Sequence, residues 1–349
     1  MNSGIMRYVL VVFLGIEGVW HLGASGTGAK RLVFLALATA LWLVAAGVLI
    51  RSSRWLQLLP IVVLASVVSC ALSLPGAMAG FALNLVAVVL ACTAIRFPGD
   101  IPAVRNIQLE RFWESAPATP GPPFDGRLDP HLGHAIAPGT QLASATRIRM
   151  HGTIKLGPWF PFVAEEVIIA GRGMVWAGTA SIFGLPVCGS DRSVDGVGEM
   201  DWRLFGLFPI ARSSGSDTSK SALGRMVGET VVWLPSALAG PEPSVGDVEW
   251  IGEDDGQVRL LIDSSGLSTV FAVNRNSSGQ VAAVSFPRWG NPDGGNHRFV
   301  DFGLVVERER TFHGYTVPSN IRAGWYFGTD RFAKDGEFFR AEIDGMKFL

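Results

Sequence analysis

Glu165 and Glu166 stand side by side in FPFVAEEVIIA, an otherwise apolar run. In a strand, successive side chains point to opposite faces, so one of the two carboxyls must turn inward. Beside Arg147 or Arg149 of ATRIRMHGTIKL, an inward Glu is a general acid, a general base, or half of a satisfied buried ion pair. A second set of chemically capable residues lies in FPRWGNPDGGNHRF, residues 286–299. Arg288, Trp289, Asn291, Asp293 and His297 surround a run of turn formers. Arg288 can stack on an aromatic neighbour, and Asn291 or Asp293 can close an Asx-turn. The segment is either a structural hairpin corner or the rim of a ligand mouth.

A third pair is Glu17 and His21 in LGIEGVWHL, four residues apart and so on one helical face. An ionisable group in hydrocarbon is costly and usually faces a bundle interior, paired. The pair is a proton-sensitive device, a polar ligand contact, or a mutual hydrogen bond near the membrane interface. His131 and His134 have a spacing that suits a metal, but no helix is expected there to align them and no carboxylate cluster follows. Cys188 in LPVCGSD has no nearby His and reads as a small apolar filler. The chain holds no G-x-S-x-G elbow and no GxGxxG, and GRGMVWAG and GNPDGG lack the strand–turn–helix context of a phosphate cradle. Neither a metal nor a cofactor is expected.

These residues must be positioned by two unlike parts of the chain. Mean hydropathy is +0.32 over 349 residues, and the apolar excess is concentrated in residues 1–95. Four apolar stretches, roughly 7–24, 32–50, 56–74 and 77–95, have the length of membrane helices and show no polar face. The first has the look of a signal peptide ending at Ala24-Ser25-Gly26, but the spans that follow favour its retention. Arg7, Arg51, Arg54, Arg96 and Arg105 fall on one side of the spans and Lys30 and Arg31 on the other. This bias places the large C-terminal part in the cytoplasm. A net charge of −1 points to no nucleic acid and no strongly acidic partner.

Residues 97–142 are rich in Pro and Gly and read as a linker. From residue 143 the hydrophobic period becomes two, and short runs punctuated by turns predict about ten antiparallel strands. One helix interrupts them at 217–234. Leu223, Met226, Val227, Thr230, Val231 and Leu234 form its stripe, Ser216 or Asp217 its cap and Pro235 its stop. Lys220, Arg225 and Glu229 are expected to meet water on its other face. The stripe needs the concave face of the sheet. Trp176, Trp202, Trp289 and Trp325 are either core or the lining of a cavity for an apolar ligand.

At this point the chain resembles a bacterial membrane-associated family of domains of unknown function. The resemblance covers about 134–343 and rests on HAIAPGT, RIRMHGTIKLG, EEVIIAGRGMVW, GEMDWRLFGLFPIARSSG, GETVVWLPSAL, FPRWGNPDGG, ERTFHGY, VPSNIRAGWYFGTDRF and EFFRAEI. A weaker, fold-level similarity extends to lipoprotein-carrier domains, through the step Val317-Pro318-Ser319-Asn320-Ile321. It implies an incomplete antiparallel barrel with a helix plugging a hydrophobic concavity. This chain departs from the carriers in its four apolar spans, its lack of a lipobox cysteine and its expected cytoplasmic domain.

The expected architecture is thus a four-helix transmembrane domain (1–96), a linker (97–142) and a β half-barrel (143–349) with one plugging helix. The expected role is to bind or handle a hydrophobic, membrane-derived molecule, a lipid or isoprenoid-like ligand, in a multi-pass protein of the bacterial cell membrane. Arg147, Arg149, Trp176, Trp202, Arg288, Trp289, Asn291, Asp293 and Trp325 are the candidate ligand contacts. The alternatives are a membrane-bound enzyme with Glu165 or Glu166 as acid or base, and a structural or regulatory module with a solid core.

Overall fold

In the computed structural model the four apolar stretches form helices α1 (Ser3–Gly23), α2 (Ala29–Leu49), α3 (Trp55–Ala71) and α4 (Met78–Ala94). The structure describes residues 3–23, 28–50, 52, 54–73, 78–95, 97–119, 121–126, 130–239, 243–254 and 257–349. The Ala24-Ser25-Gly26 stretch, the connection at Leu74-Pro75-Gly76, Arg51 and Arg96 lie outside them. α1 packs on α2 and α4, and α3 packs on the same two helices. Leu10, Leu14, Leu41 and Val48 are buried among them, while Val12, Leu43, Leu64 and Leu85 face outward. Ile5–Gly23 and Ala29–Leu49 are long and apolar enough to cross a membrane. α3 and α4 are apolar but have 17 residues each, shorter than the stretches read from the sequence.

The Pro-rich stretch 97–142 carries more structure than a linker. After a 3-10 turn at Pro98–Asp100 come α5 (Ile107–Glu114) and the short α6 (Pro130–Ala135). The Asn106 side chain caps α5 by accepting from the backbone N–H groups of Gln108 and Leu109, at 2.9 and 3.1 Å.

Among the described residues thirteen strands, against about ten expected, build one antiparallel sheet. They are β1 (Ala145–Lys155), β2 (Trp159–Ile169), β3 (Gly173–Ile182), β4 (Leu185–Val194), β5 (Val197–Leu204) and β6 (Phe208–Ser214). After α7 (Ser216–Trp233) follow β7 (Asp247–Asp254), β8 (Gln257–Ser264), β9 (Leu267–Arg275), β10 (Val281–Gly290), β11 (Arg298–Phe312), β12 (Tyr315–Trp325) and β13 (Glu337–Phe348). The extra strands come from the turns at Phe183-Gly184 and Phe205-Gly206, which the sequence disguises. Phe183-Gly184, Asp195-Gly196, Ser265-Gly266 and His313-Gly314 each join two strands with positive φ at both residues. That is the backbone of a two-residue hairpin turn whose twist suits the flanking strands. Phe205 and Gly206 do the same within a three-residue turn, splitting GEMDWRLFGLF into β5 and β6.

The sheet order is β6-β5-β4-β3-β2-β1-β13-β12-β11-β10-β9-β8-β7, so two meanders diverge from the central β1–β13 pair. α7 carries the chain from one edge to the other and must therefore cross a face of the sheet. Its apolar stripe chooses that face: Leu223, Met226, Val227, Thr230, Val231 and Leu234 are all buried. α7 packs against β4 and β5 on one side and β9 and β10 on the other. Strands so far apart in the order reach one helix only if the sheet curves around it. The N-cap is Gly215, at φ 100°, with no side-chain cap, so neither Ser216 nor Asp217 plays that part.

α5 packs on the opposite, outer face, burying Leu109 and Phe112 against Val167, Ile169, Val175 and Ala177. Two hairpin tips also reach the helices. A Cβ on Gly184 would collide with the Cys92 carbonyl, and one on Gly206 would lie 3.0 Å from the Gln57 amide nitrogen.

Candidate functional site

Between α7 and the curved sheet the side chains do not fill the space. A cavity of about 410 Å³ remains, within the usual ~300–1,000 Å³ of small-molecule pockets. Its wall is mainly apolar, with Phe162, Trp176, Trp202, Phe286, Phe302 and Phe339 among the lining residues. At one end Leu156, Ile182 and Ile210 line it, and Leu156 and Ile210 are exposed. Phe183 and Phe208, next to these residues in the chain, are exposed as well.

A polar cluster interrupts the apolar wall. Trp202 Nε1 donates to Asp191 Oδ1 at 2.8 Å, and Arg225 Nη1 donates to Asp191 Oδ2 at 3.0 Å. Arg225 Nε donates to Glu229 Oε1 at 2.6 Å, one helical turn along α7. Behind Glu229 lies Glu166 on β2, with no exposed surface. Both Glu166 oxygens and Glu229 Oε2 are shielded from water and meet no donor among the described residues. A proton on Glu166 supplies the donor that Glu229 Oε2 otherwise lacks. Burial first, and the neighbouring Glu229 charge second, push the Glu166 carboxyl well above its ordinary value of 4.5.

Arg288 completes the set of polar groups on the wall. Its guanidinium lies over Phe302 at 4.8 Å and over Trp325 at 5.1 Å from the ring centroids. Nε donates to the Ser221 carbonyl at 3.3 Å and Nη2 to Ser221 Oγ at 3.5 Å. Burial, aided by the Arg225 charge, lowers its pKa to about 10, which leaves it charged at neutral pH.

A family model described as a family of unknown function (DUF6544) matches residues 128–334. The chain belongs to that family. No curated protein matches it. Among solved structures it is similar to a DUF1329 family protein from Desulfovibrio piger, with a TM-score of 0.35 and 12% identity. It is also similar to a putative outer membrane lipoprotein-sorting protein domain from Vibrio parahaemolyticus, at 0.33 and 11%, and to a LolA superfamily protein from Nitrosomonas europaea, at 0.32 and 11%. Each likeness covers 59% of this chain and 86% of the other.

Asp191, Arg225, Glu229, Arg288 and Glu166 all fall within the DUF6544 segment. Of the candidates read from sequence, Trp176, Trp202 and Arg288 line the cavity. Glu166 is the inward carboxyl, but its neighbours are Glu229 and Arg225 rather than Arg147 or Arg149. Glu165 turns outward, where it accepts from Arg147. Arg147 also grips Glu110 of α5 through Nη1 and Nη2, at 2.9 and 2.7 Å, which holds the Glu110 carboxyl below its ordinary range. Arg147 thus pins α5 to the sheet, on the face away from the cavity. Arg149 is exposed on that outer face, beside Gly345.

The 286–299 corner is a hairpin connection between β10 and β11, with Gly290 paired to Arg298. Trp289 Nε1 donates to Asp217 Oδ1 at 2.9 Å, and Lys220 sits 3.6 Å from its ring centroid. Both partners belong to the first turns of α7, so Trp289 fastens the helix and does not line the cavity. Asp293 accepts from Tyr326, from Arg298 at 2.6 Å and from Arg331 at 2.9 Å. These donors hold its carboxyl far below the ordinary range, the Tyr326 hydroxyl foremost. Asn291 donates to the Gly295 carbonyl at 3.3 Å, within the turn itself. Trp325 reaches the site indirectly, as the ring under Arg288.

Among the helices, Glu17 and His21 are both buried, but they do not bond each other. His21 Nε2 meets Ser66 Oγ at 2.9 Å, and Asn84 Nδ2 donates to the same oxygen at 2.9 Å. His134 meets Glu309 Oε2 at 2.9 Å, and the His131 side chain lies outside the described residues. Sequence reasoning missed Asp191, Arg225 and Glu229 as site residues. Asp191 sits at the same strand parity as Val187, a signal of an inward position. Arg225 and Glu229 were assigned to water, a correction that only the curvature of the sheet supplies.

Proposed function

We propose that this chain is a membrane-anchored protein that binds or handles a hydrophobic, membrane-derived ligand within a β half-barrel. The observation that carries this reading is the cavity, apolar over most of its wall and with a few converging polar groups. A solid-core module would have filled that space. In this reading residues 1–96 form a four-helix membrane domain, 97–142 the connection and 143–349 the ligand-binding domain. The exposed Leu156, Phe183, Phe208 and Ile210 support a mouth turned toward the helices, since the Phe183-Gly184 tip abuts the end of α4. A ligand entering there leaves the bilayer without a long passage through water. The basic residues at the helix ends favour a cytoplasmic domain.

A second reading, a membrane-bound enzyme, draws on the Glu166–Glu229 pair, since a carboxyl held protonated in an apolar site is a candidate acid. Its difficulty is that Glu229 already spends one oxygen on Arg225 and turns the other toward Glu166. Both carboxylates are therefore engaged in holding the wall together. Native mass spectrometry of the full chain, extracted into lipid nanodiscs, tests the first reading. The wild type should carry an apolar molecule that Ala180→Phe, which fills the cavity, does not retain. Equal retention by a folded Ala180→Phe variant would overturn it.

A further inference from the structure

The cavity wall carries two arginines whose situations differ. Arg225 is matched, with Asp191 at 3.0 Å and Glu229 at 2.6 Å. Arg288 has no carboxylate within 4.0 Å among the described residues, and its polar contacts are the carbonyl and hydroxyl of Ser221. Its remaining N–H groups meet no acceptor there. Phe302 and Trp325 flank the guanidinium and, being aromatic, hold the cation without neutralising it. Gly290 backs Trp325 so closely that a Cβ would strike the indole, which fixes the ring under Arg288. A cation beside apolar groups is costly unless an anion shares the site.

The charges explain how the fold tolerates Arg288 without a ligand. With Glu166 protonated, Asp191 and Glu229 balance Arg225 and Arg288, so the cluster is neutral as a whole. The balancing charge, however, contacts Arg225 and not Arg288. The volume of about 410 Å³ suits one aliphatic chain better than two.

We propose that the ligand is a single-chain amphiphile with an oxyanion head, and that Arg288 is the residue that binds the head. This rests on the reading of the cavity as a hydrophobic-ligand site and names the class of ligand it takes. The guanidinium fork matches a carboxylate or a phosphate, each able to accept two parallel N–H bonds. The aliphatic chain lies along the aromatic wall.

The test is binding to the full chain in phosphatidylcholine nanodiscs, corrected for uptake by empty discs, with palmitate, hexadecyl phosphate and hexadecanol as probes. The anionic probe that fits should bind roughly 10- to 100-fold more tightly than hexadecanol, the range of a hydrogen-bonded charge pair. Palmitate ahead identifies a carboxylate head, and hexadecyl phosphate ahead identifies a phosphate; either supports the proposal. Arg288→Gln should bring the favoured anion down to the level of hexadecanol while leaving hexadecanol unchanged, and Arg288→Lys should keep part of the preference. Should Arg288→Gln fail to fold, the wild-type preference alone decides. Equal binding of all three probes overturns the role of Arg288 while leaving a hydrophobic-ligand site standing. No binding by any of them overturns both.

Discussion

Glu166 on β2 and Glu229 on α7 meet carboxyl to carboxylate inside the sheet, with the facing oxygens sealed from water. The contact joins the helix to the strand it crosses and depends on one proton. Arg225 supports the Glu229 side of it at 2.6 Å, and among the described residues no donor does the same for Glu166.

That proton makes stability depend on pH. The folded Glu166 carboxyl titrates well above 4.5, so between the two values the folded state holds a proton that the unfolded chain has lost. Its contribution to stability therefore falls as pH rises through that window. Glu166→Gln keeps a donor for Glu229 and cannot ionise. Its melting temperature relative to wild type should rise as the pH is raised above about 5. A difference that does not change with pH would contradict the shared proton.

Trp289→Ala should loosen one end of α7 without touching the cavity wall. The change removes the bond to Asp217 and the ring under Lys220. Full burial of a Trp is worth about 3–5 kcal/mol, and this half-buried ring should cost about 2 kcal/mol. Hydrogen exchange should quicken over 216–223 and stay unchanged over 228–233. Uniform acceleration along the helix would show that the ring stabilises something other than its first turns.

Two glycines of α7 should respond in opposite directions. Alanine favours a helix over glycine by about 1 kcal/mol at either site. At Gly224 the nearest atom to an added Cβ is Arg288 Cγ at 3.6 Å, an ordinary contact, so Gly224→Ala should raise the melting temperature. At Gly228 the Phe286 ring lies at 2.8 Å and is itself held against Phe271, with centroids 4.6 Å apart. Gly228→Ala should therefore lower stability by up to about 2 kcal/mol, an overpacking cost of about 1–3 kcal/mol less the gain in helix propensity. Thermal unfolding of the two variants decides, and a shared sign would mean that the helix is not pressed against Phe286.

The stripe of α7, the hairpin corner at 286–299 and the inward turn of one glutamate were legible because each follows from local periodicity or turn chemistry. The partners of these groups were not. Arg225 and Glu229 form an i,i+4 pair opposite an apolar stripe, the ordinary pattern of a solvated face. Only a sheet that wraps the helix turns that face into a cavity wall. Arg147 looked like the partner of an inward acid, yet it pairs with Glu110, 37 residues away on a helix inside a Pro-rich stretch. The turns at Phe183-Gly184 and Phe205-Gly206 place an aromatic residue at positive φ, which residue preference alone argues against. Strand pairing imposes it.

The β sheet is fastened to its helices at two places. One fastening runs through the 3-10 turn, where Arg7 meets Asp100 at 3.5 Å, and through α5, clamped by Arg147. The other is made by the hairpin tips at Gly184 and Gly206, pressed against Cys92 and Gln57. A single tether would leave the sheet free to swivel like a flag on a pole, and two set apart lock its bearing. In the proposed reading, ligand exchange by a sheet held at two places does not proceed by swinging the whole domain. It falls instead to α7, a crosspiece held at one end by Trp289 and at the other by Trp233, whose Nε1 donates to the Pro318 carbonyl at 3.0 Å.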